Sequence, residues 1–218
     1  MAERSVQGVI FDMDGTLADT LDHYYGMACD FVEFAGAPPV SREYVYALMG
    51  SGDPDLMQKL FPPDFPDLEQ KLRRIVRERL GIWTRRVAEE TAPLEGCANL
   101  LQELHGAGYL LGIATSSGRD LPYLDSWGVR ELFAAVVGRE DVAQRKPHPE
   151  AILQCLSALE LEPSATLYVG DSPIDIEAGR AAGVVTVGVL TGTTTREGLA
   201  AAEPDHILET AADLPSLL

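Results

Sequence analysis

The sequence predicts an α/β fold: a parallel sheet with helices on both faces, interrupted near its start by an inserted helical unit. Three observations carry this. Five short apolar runs without helical period punctuate the chain, helix-sized segments separate most of them, and residues 21–92 contain no convincing strand.

The runs are residues 6–11, 110–115, 134–138, 166–170 and 184–190, continuous in apolar and often β-branched residues, as strands buried on both faces are. Between them, segment 94–105 follows Pro93 and is closed by Gly106 and Gly108, and segment 118–127 ends at Gly128. Segments 149–159 and 173–182 open on prolines suited to a first helical turn, the second closing at Gly183. Alternation of this kind makes a parallel sheet whose ligands gather beyond the strands' carboxyl ends. Inside the insertion, helical patterns cover 25–35, 53–60 and 68–89. The proline-rich stretch 61–67 divides them into two helical hairpins, because proline excludes the α conformation before it and breaks a helix within it. Hinges are expected near 16–20 and 91–94.

At 218 residues the chain sits near the upper end of one domain, which suits one large core plus a small accessory unit. No window holds the about 18 uninterrupted apolar residues of a membrane helix, and residues 1–11 lack the basic start and apolar stretch of a signal peptide. A soluble cytoplasmic protein, monomer or homodimer, is expected. Cys29, Cys97 and Cys155 are far apart and odd in number, which suggests neither a disulfide framework nor a zinc site. The net charge of −17 repels nucleic acid and anionic membrane, and opposes an anionic substrate as well. A phosphate site must then be built locally, from a cation, backbone N–H groups and one or two basic side chains.

Four stretches carry chemistry. Asp12-Met13-Asp14-Gly15-Thr16 closes the first strand, and alternation sends its two carboxylates to the same side of the chain, where they can share a hard cation. A polar turn after a strand is the plainer alternative. Gly170-Asp171-Ser172-Pro173-Ile174-Asp175 repeats the logic on another strand: Asp171 is a second metal-ligand candidate, and Asp175 stands one turn into the helix that Ser172 and Pro173 begin. Helix capping alone also accounts for it. Thr115-Ser116-Ser117-Gly118 ends a third strand in hydroxyls where a helix is expected, offering O–H and free N–H groups to a phosphate or serving simply as an N-cap. Arg145-Lys146-Pro147-His148-Pro149 holds one lysine in a stiff loop, either a basic surface loop or a cation for phosphate and nucleophile together.

With those four stretches in the chain order 12–16, 115–118, 145–149 and 170–175, the chain resembles the haloacid dehalogenase-like hydrolase superfamily, in its helical-cap, phosphoglycolate phosphatase-like branch. The resemblance implies a Rossmann-like core of residues 1–16 and 93–218 with an α-helical cap domain of residues 17–92. It implies that Asp12 is the nucleophile, Asp14 the general acid/base, Thr115 a ligand of the transferring phosphoryl group, and Lys146 the cation that orients Asp12. Asp12, Asp14 through its backbone carbonyl, and Asp171 would hold Mg²⁺, with Asp175 in support. The implied activity is phosphatase action on a small phosphorylated metabolite; a sugar phosphomutase or a non-catalytic protein retaining the fold are the alternatives. Asp14 argues against dehalogenation, since halide needs no acid. Mutases of the superfamily carry a histidine twelve residues after the nucleophile, where this chain has Tyr24, with His23 beside it.

Substrate contacts are expected from Thr115, Ser116 and Arg119, whose guanidinium could grip a carboxylate or phosphate. They are also expected from Gly50, Ser51 and Gly52 of Leu48-Met49-Gly50-Ser51-Gly52-Asp53, which resembles the glycine-bearing specificity loop of phosphoglycolate phosphatases. His23, His105, His148 and His206 show no metal-ligand spacing, the basic run from Arg73 to Arg86 reads as a solvated helix face, and Trp83 as core.

Overall fold

The computed structural model describes residues 6–50 and 55–218. Its sheet has six parallel strands: β1 (Gly8–Phe11), β2 (Leu110–Ala114), β3 (Phe133–Val137), β4 (Thr166–Gly170), β5 (Val185–Val189) and β6 (His206–Leu208), in the order β3-β2-β1-β4-β5-β6. The order reverses at the β1/β4 pair, and a crevice opens at the carboxyl ends there. Both faces are covered. Val9, Phe11, Ile113, Leu167 and Val187 pack on one side, while Ile10, Ala114 and Tyr168 pack on the other with Ile152, Cys155 and Ala178. That two-sided burial is why the strands read as unbroken apolar runs. Cys97 and Cys155 are buried in these layers, Cys29 half-buried in the helical unit, and none is in a disulfide.

The insertion consists of α1 (Leu21–Ala35), α2 (Arg42–Gly50), α3 (Leu56–Lys59), α4 (Leu68–Ile75) and α5 (Gly81–Glu90), with a π-helical turn, Val76–Leu80, joining the last two into one run. It has its own apolar cluster, built on Phe31, Val32, Val45, Leu60, Phe61, Ile75 and Trp83. Trp83 is core, its Nε1 donating to Asp30 Oδ2 at 3.0 Å, and the basic face of α4 and α5 is exposed and paired locally, as in Arg73–Glu69 and Arg86–Glu90. Its two linkers lie side by side. Asp19 N donates to Ala92 O at 3.0 Å and Leu94 N to Leu17 O at 2.8 Å.

The core helices are α6 (Cys97–Gly106), α7 (Tyr123–Ser126), α8 (Glu150–Leu159), α9 (Pro173–Ala182) and α10 (Arg196–Ala201). Three differ from expectation. The helix expected over 94–105 starts at Cys97, because Leu94 is bonded to the other linker and Gly96 is left-handed with φ 79°. That expected over 118–127 is one turn, α7, since Pro122 cannot extend a helix backwards and Arg119 N is held by Glu140 Oε1 at 2.9 Å. α10, like β6, was not expected at all.

Candidate active site

Asp12 follows β1, and its own N–H continues the ladder to Val169 O at 2.8 Å, so its position is set by the sheet. Its carboxylate is buried, and Lys146 Nζ donates to its Oδ1 at 2.6 Å. The same ammonium donates to Asp175 Oδ1 at 2.6 Å and lies 3.1 Å from Tyr168 Oη and 3.4 Å from Ala114 O. Tyr168 in turn donates its hydroxyl hydrogen toward Asp175 Oδ1 or Ala114 O. Every part of this network is buried, which makes an unpaired member costly and the geometry correspondingly fixed.

Asp175 also receives Ser172 N at 3.2 Å and Ser172 Oγ at 2.5 Å on Oδ2, the reciprocal box that opens α9. Both of its oxygens are therefore occupied, and it orients the lysine. Gly170 is required beside it: a Cβ there would stand 2.4 Å from Asp175 Cβ.

Asp171 follows β4 and receives Thr193 N on Oδ2 at 3.0 Å. Oxygens of Asp12, Asp171 and Asp175 lie within 4.8 Å of one another, an all-oxygen donor set of the kind that suits a hard divalent cation. The electrostatics agree. Burial, then the Asp175 charge, pushes the Asp171 carboxyl up to about 7. Burial likewise raises Asp12 well above the carboxylate range, Lys146 opposing it and Asp175, Asp171 and Asp14 adding to it. Burial disfavours the Lys146 charge, but Asp12 and Asp175 outweigh that and hold it protonated. Three carboxylates against one ammonium leave a surplus of negative charge that a cation would neutralise. Beside them, Thr193 Oγ1 is buried without a partner among the described residues. The residues fit Mg²⁺.

Asp14 stands on the other side of the site, half-buried, where Thr20 Oγ1 donates to Oδ1 at 2.8 Å and Ser117 Oγ to Oδ2 at 2.5 Å. Tyr24 Oη is 3.2 Å from the same Ser117 Oγ. Burial and the Asp14 charge push the Tyr24 phenol upward, so it stays protonated. Gly15, with φ 77°, turns the chain between Asp14 and the linker, and a side chain there would meet Gly192 Cα at 2.9 Å.

A cavity of about 260 Å³ joins these groups to the helical unit. Asp12, Asp14, Ser116, Ser117, Arg139, Lys146, Asp171, Asp175 and Thr193 border it from the core; Leu21, Met27, Phe31, Val45, Met49 and Met57 border it from the insertion. Of the residues expected to bind substrate, Ser116 borders the cavity, while Thr115 is buried and accepts Ser117 N at 3.0 Å on its Oγ1. Arg119 does not border the cavity: its guanidinium is exposed and bonded to Asp141 at 3.0 Å. Gly50 closes α2, and Ser51 and Gly52 lie outside the described residues. Sequence reasoning missed Thr20, Tyr168, Thr193 and Arg139. Of these only Tyr168 left a signal, a phenol inside a wholly buried strand whose hydroxyl needed a partner.

The architecture and the site have counterparts among known proteins. Residues 9–189 match the family model for haloacid dehalogenase-like hydrolases. The chain is 35% identical to the phosphoglycolate phosphatase of Salmonella typhimurium, over 97% of its own length and 92% of that protein's. To the Escherichia coli K12 phosphoglycolate phosphatase it is 32% identical, over 96% and 91%. A solved structure described as a predicted phosphoglycolate phosphatase from Haemophilus somnus superposes with a TM-score of 0.83 at 23% identity, covering 97% of each chain. A candidate β-phosphoglucomutase from Thermotoga maritima gives 0.73 at 26%, over 97% and 98%. A family match across most of its length and relatives aligned nearly end to end lead to one conclusion: the chain belongs to the haloacid dehalogenase-like hydrolase family, as a phosphatase.

Proposed function

We propose that the protein hydrolyses a small phosphorylated metabolite through an aspartyl-phosphate on Asp12, with Mg²⁺ bound, and that phosphoglycolate is the first substrate to try. The observation that carries this is the buried Asp12 carboxylate, fixed by Lys146 at 2.6 Å and bordering a cavity that Asp14 also borders.

In the first step an Asp12 oxygen attacks phosphorus in line, the bond to the leaving oxygen breaks, and Asp14 gives that oxygen a proton. In the second, Asp14 takes a proton from water as the water oxygen attacks phosphorus and the bond to Asp12 breaks. Mg²⁺, held by Asp12, Asp171 and the Asp14 carbonyl, would keep the buried carboxylates ionised and spread the charge of the phosphoryl oxygens. Lys146 keeps Asp12 oriented, and the Thr115 hydroxyl with the hydroxyl and N–H of Ser116 serve the phosphoryl group, Ser117 being committed through its N–H to Thr115 Oγ1 and through its hydroxyl to Asp14. Thr20 and Ser117 hold Asp14 from both oxygens, which favours one fixed direction for its proton. The insertion, residues 17–92, acts as a cap over the core of residues 1–16 and 93–218, and its paired linkers are the natural place to bend.

The test is hydrolysis of p-nitrophenyl phosphate and a panel of phosphometabolites, with and without EDTA, by the wild type and by Asp12→Asn. Asp12→Asn is expected to lower kcat by about 10⁴-fold or more, the scale of losing a nucleophile. Turnover that survives either EDTA or the substitution defeats the reading. The mutase alternative is disfavoured by the protonated Tyr24 phenol at the position where mutases carry histidine; isomerisation of a hexose 1-phosphate would restore it.

A further inference from the structure

The basic groups around the cavity are unequally committed. Lys146 is surrounded by Asp12, Asp175, Tyr168 and Ala114 O, and has no donor to spare for a leaving group. Arg139 borders the same cavity, is exposed, and its guanidinium makes no hydrogen bond or ion pair with another described residue. The acids that follow it in sequence are already taken. Glu140 Oε1 accepts Arg119 N at 2.9 Å, and Asp141 accepts Arg119 Nη1 at 3.0 Å and Gly138 N at 3.0 Å.

The backbone decides where that guanidinium starts. Arg139 N donates to Ser117 O at 2.8 Å, and Ser117 Oγ donates to Asp14 Oδ2 at 2.5 Å. Gly138 keeps the two loops in contact, for a Cβ there would fall 2.2 Å from Arg119 N. An uncommitted arginine is thus anchored one residue from the side chain that holds Asp14, on the side where a leaving oxygen would receive its proton.

We propose that Arg139 determines specificity by gripping a carboxylate on the leaving group, so that the substrates are phosphate monoesters of small hydroxy acids. This rests on the phosphatase reading above and adds the chemistry of the leaving group to it. A guanidinium meets a carboxylate with two parallel N–H donors, a match that an ammonium cannot make. The surroundings make that match necessary: the chain carries −17, and four carboxylates, Asp12, Asp14, Asp171 and Asp175, already border the cavity. A second anion on the substrate is repelled unless a cation meets it locally. Among the described residues the opposite wall is apolar apart from Tyr24, whose hydroxyl lies 3.2 Å from Ser117 Oγ, and the surface of Leu21, Met27, Phe31, Val45, Met49 and Met57 strengthens any ion pair formed beside it.

The experiment measures kcat/KM, with Mg²⁺, for 2-phosphoglycolate and for its amide, which keeps the carbon frame and removes the charge. The readout is the acid-to-amide ratio, which does not depend on how much of a variant is folded. Wild type is expected to prefer the acid, and Arg139→Ala to lower the ratio by about 10- to 100-fold, the scale of a charge-assisted hydrogen-bond pair. Arg139→Lys recovers part of the loss, and Arg119→Ala keeps the wild-type ratio. An unchanged ratio in Arg139→Ala, or a fall in Arg119→Ala instead, overturns the assignment. Wild type that hydrolyses neither compound but cleaves other phosphomonoesters overturns the substrate class alone, whereas no phosphatase activity of any kind overturns the reading beneath it.

Discussion

The two walls of the cavity are built on opposite principles. On the core side the buried carboxylates and the lysine are held by bonds from separate elements: Asp12 by Lys146, Lys146 by Asp175, and Asp171 by Thr193. On the cap side, Tyr24 apart, the lining among the described residues is aliphatic, aromatic or thioether, and none of it is fixed by a polar bond to the core. Chemistry that depends on tenths of an ångström belongs on the sheet edge, where the backbone ladder sets position. On the proposed reading the other wall excludes water, which needs only shape, and three of its residues, Met27, Met49 and Met57, have the most adaptable side chains available.

The sharpest way to break this contrast is Lys146→Met, which leaves two buried carboxylates without their cation. It is expected to cost about 3–5 kcal/mol and to lower Tm by on the order of 10 °C, with turnover lost. The stability loss is smaller at pH 5 than at pH 8, because at low pH the orphaned carboxyls can protonate. Thermal unfolding at the two pH values measures it. A Tm within a degree or two of wild type would mean that the core wall is not the fixed network described.

The same contrast explains what could be read from sequence. Asp12 and Asp171 are legible because each follows an apolar strand, Lys146 because it sits in a proline-stiffened loop, and Asp175 because it stands in the first turn of the helix that Ser172 and Pro173 begin, all local patterns. β4 and α9 were legible to the residue for the same reason, with Pro173 and Gly183 marking the ends of α9. Thr20, Thr193 and Arg139 were not, since a threonine in a linker or an arginine after a strand looks the same whether or not the fold brings it to a site. Arg119 looks suited to the substrate because it follows the hydroxyls of 115–117; the loop turns it instead toward Asp141, and Arg139 borders the cavity. β6 escapes because three residues on a sheet edge carry no periodicity, and the helix expected over 118–127 is longer than the one formed because α7 begins only after Pro122, residues 118–121 before it belonging to the loop.

A smaller effect probes the cation. The Asp171 carboxyl stands at about 7 in the fold against 3.8 ordinarily, so the native state holds a proton that the unfolded chain has lost. Stability of the metal-free protein is then expected to fall as pH rises from about 4 to about 7 and to level off above it. Mg²⁺ must displace that proton below 7 and need not above it. Saturating Mg²⁺ is expected to raise Tm by several degrees at pH 8, corresponding to about 2–3 kcal/mol at a hundredfold excess over Kd, and by clearly less at pH 5. Equal gains at both values, or none at pH 8, would count against Asp171 as a ligand.

The smallest effect is expected on the cap. Met27→Ala removes thioether surface from the wall without touching any polar bond, so p-nitrophenyl phosphate should be turned over with kcat within about twofold of wild type and kcat/KM within about fivefold, a loss near 1 kcal/mol. The split between the two constants matters more than their size. An apolar wall that only shapes the cavity and keeps water out contributes to binding the substrate and the transition state alike, and its loss shows in KM. A fall in kcat of a hundredfold would mean that the cap side fixes the reacting atoms as firmly as the sheet edge does, and the division of labour between the two walls would have to be abandoned.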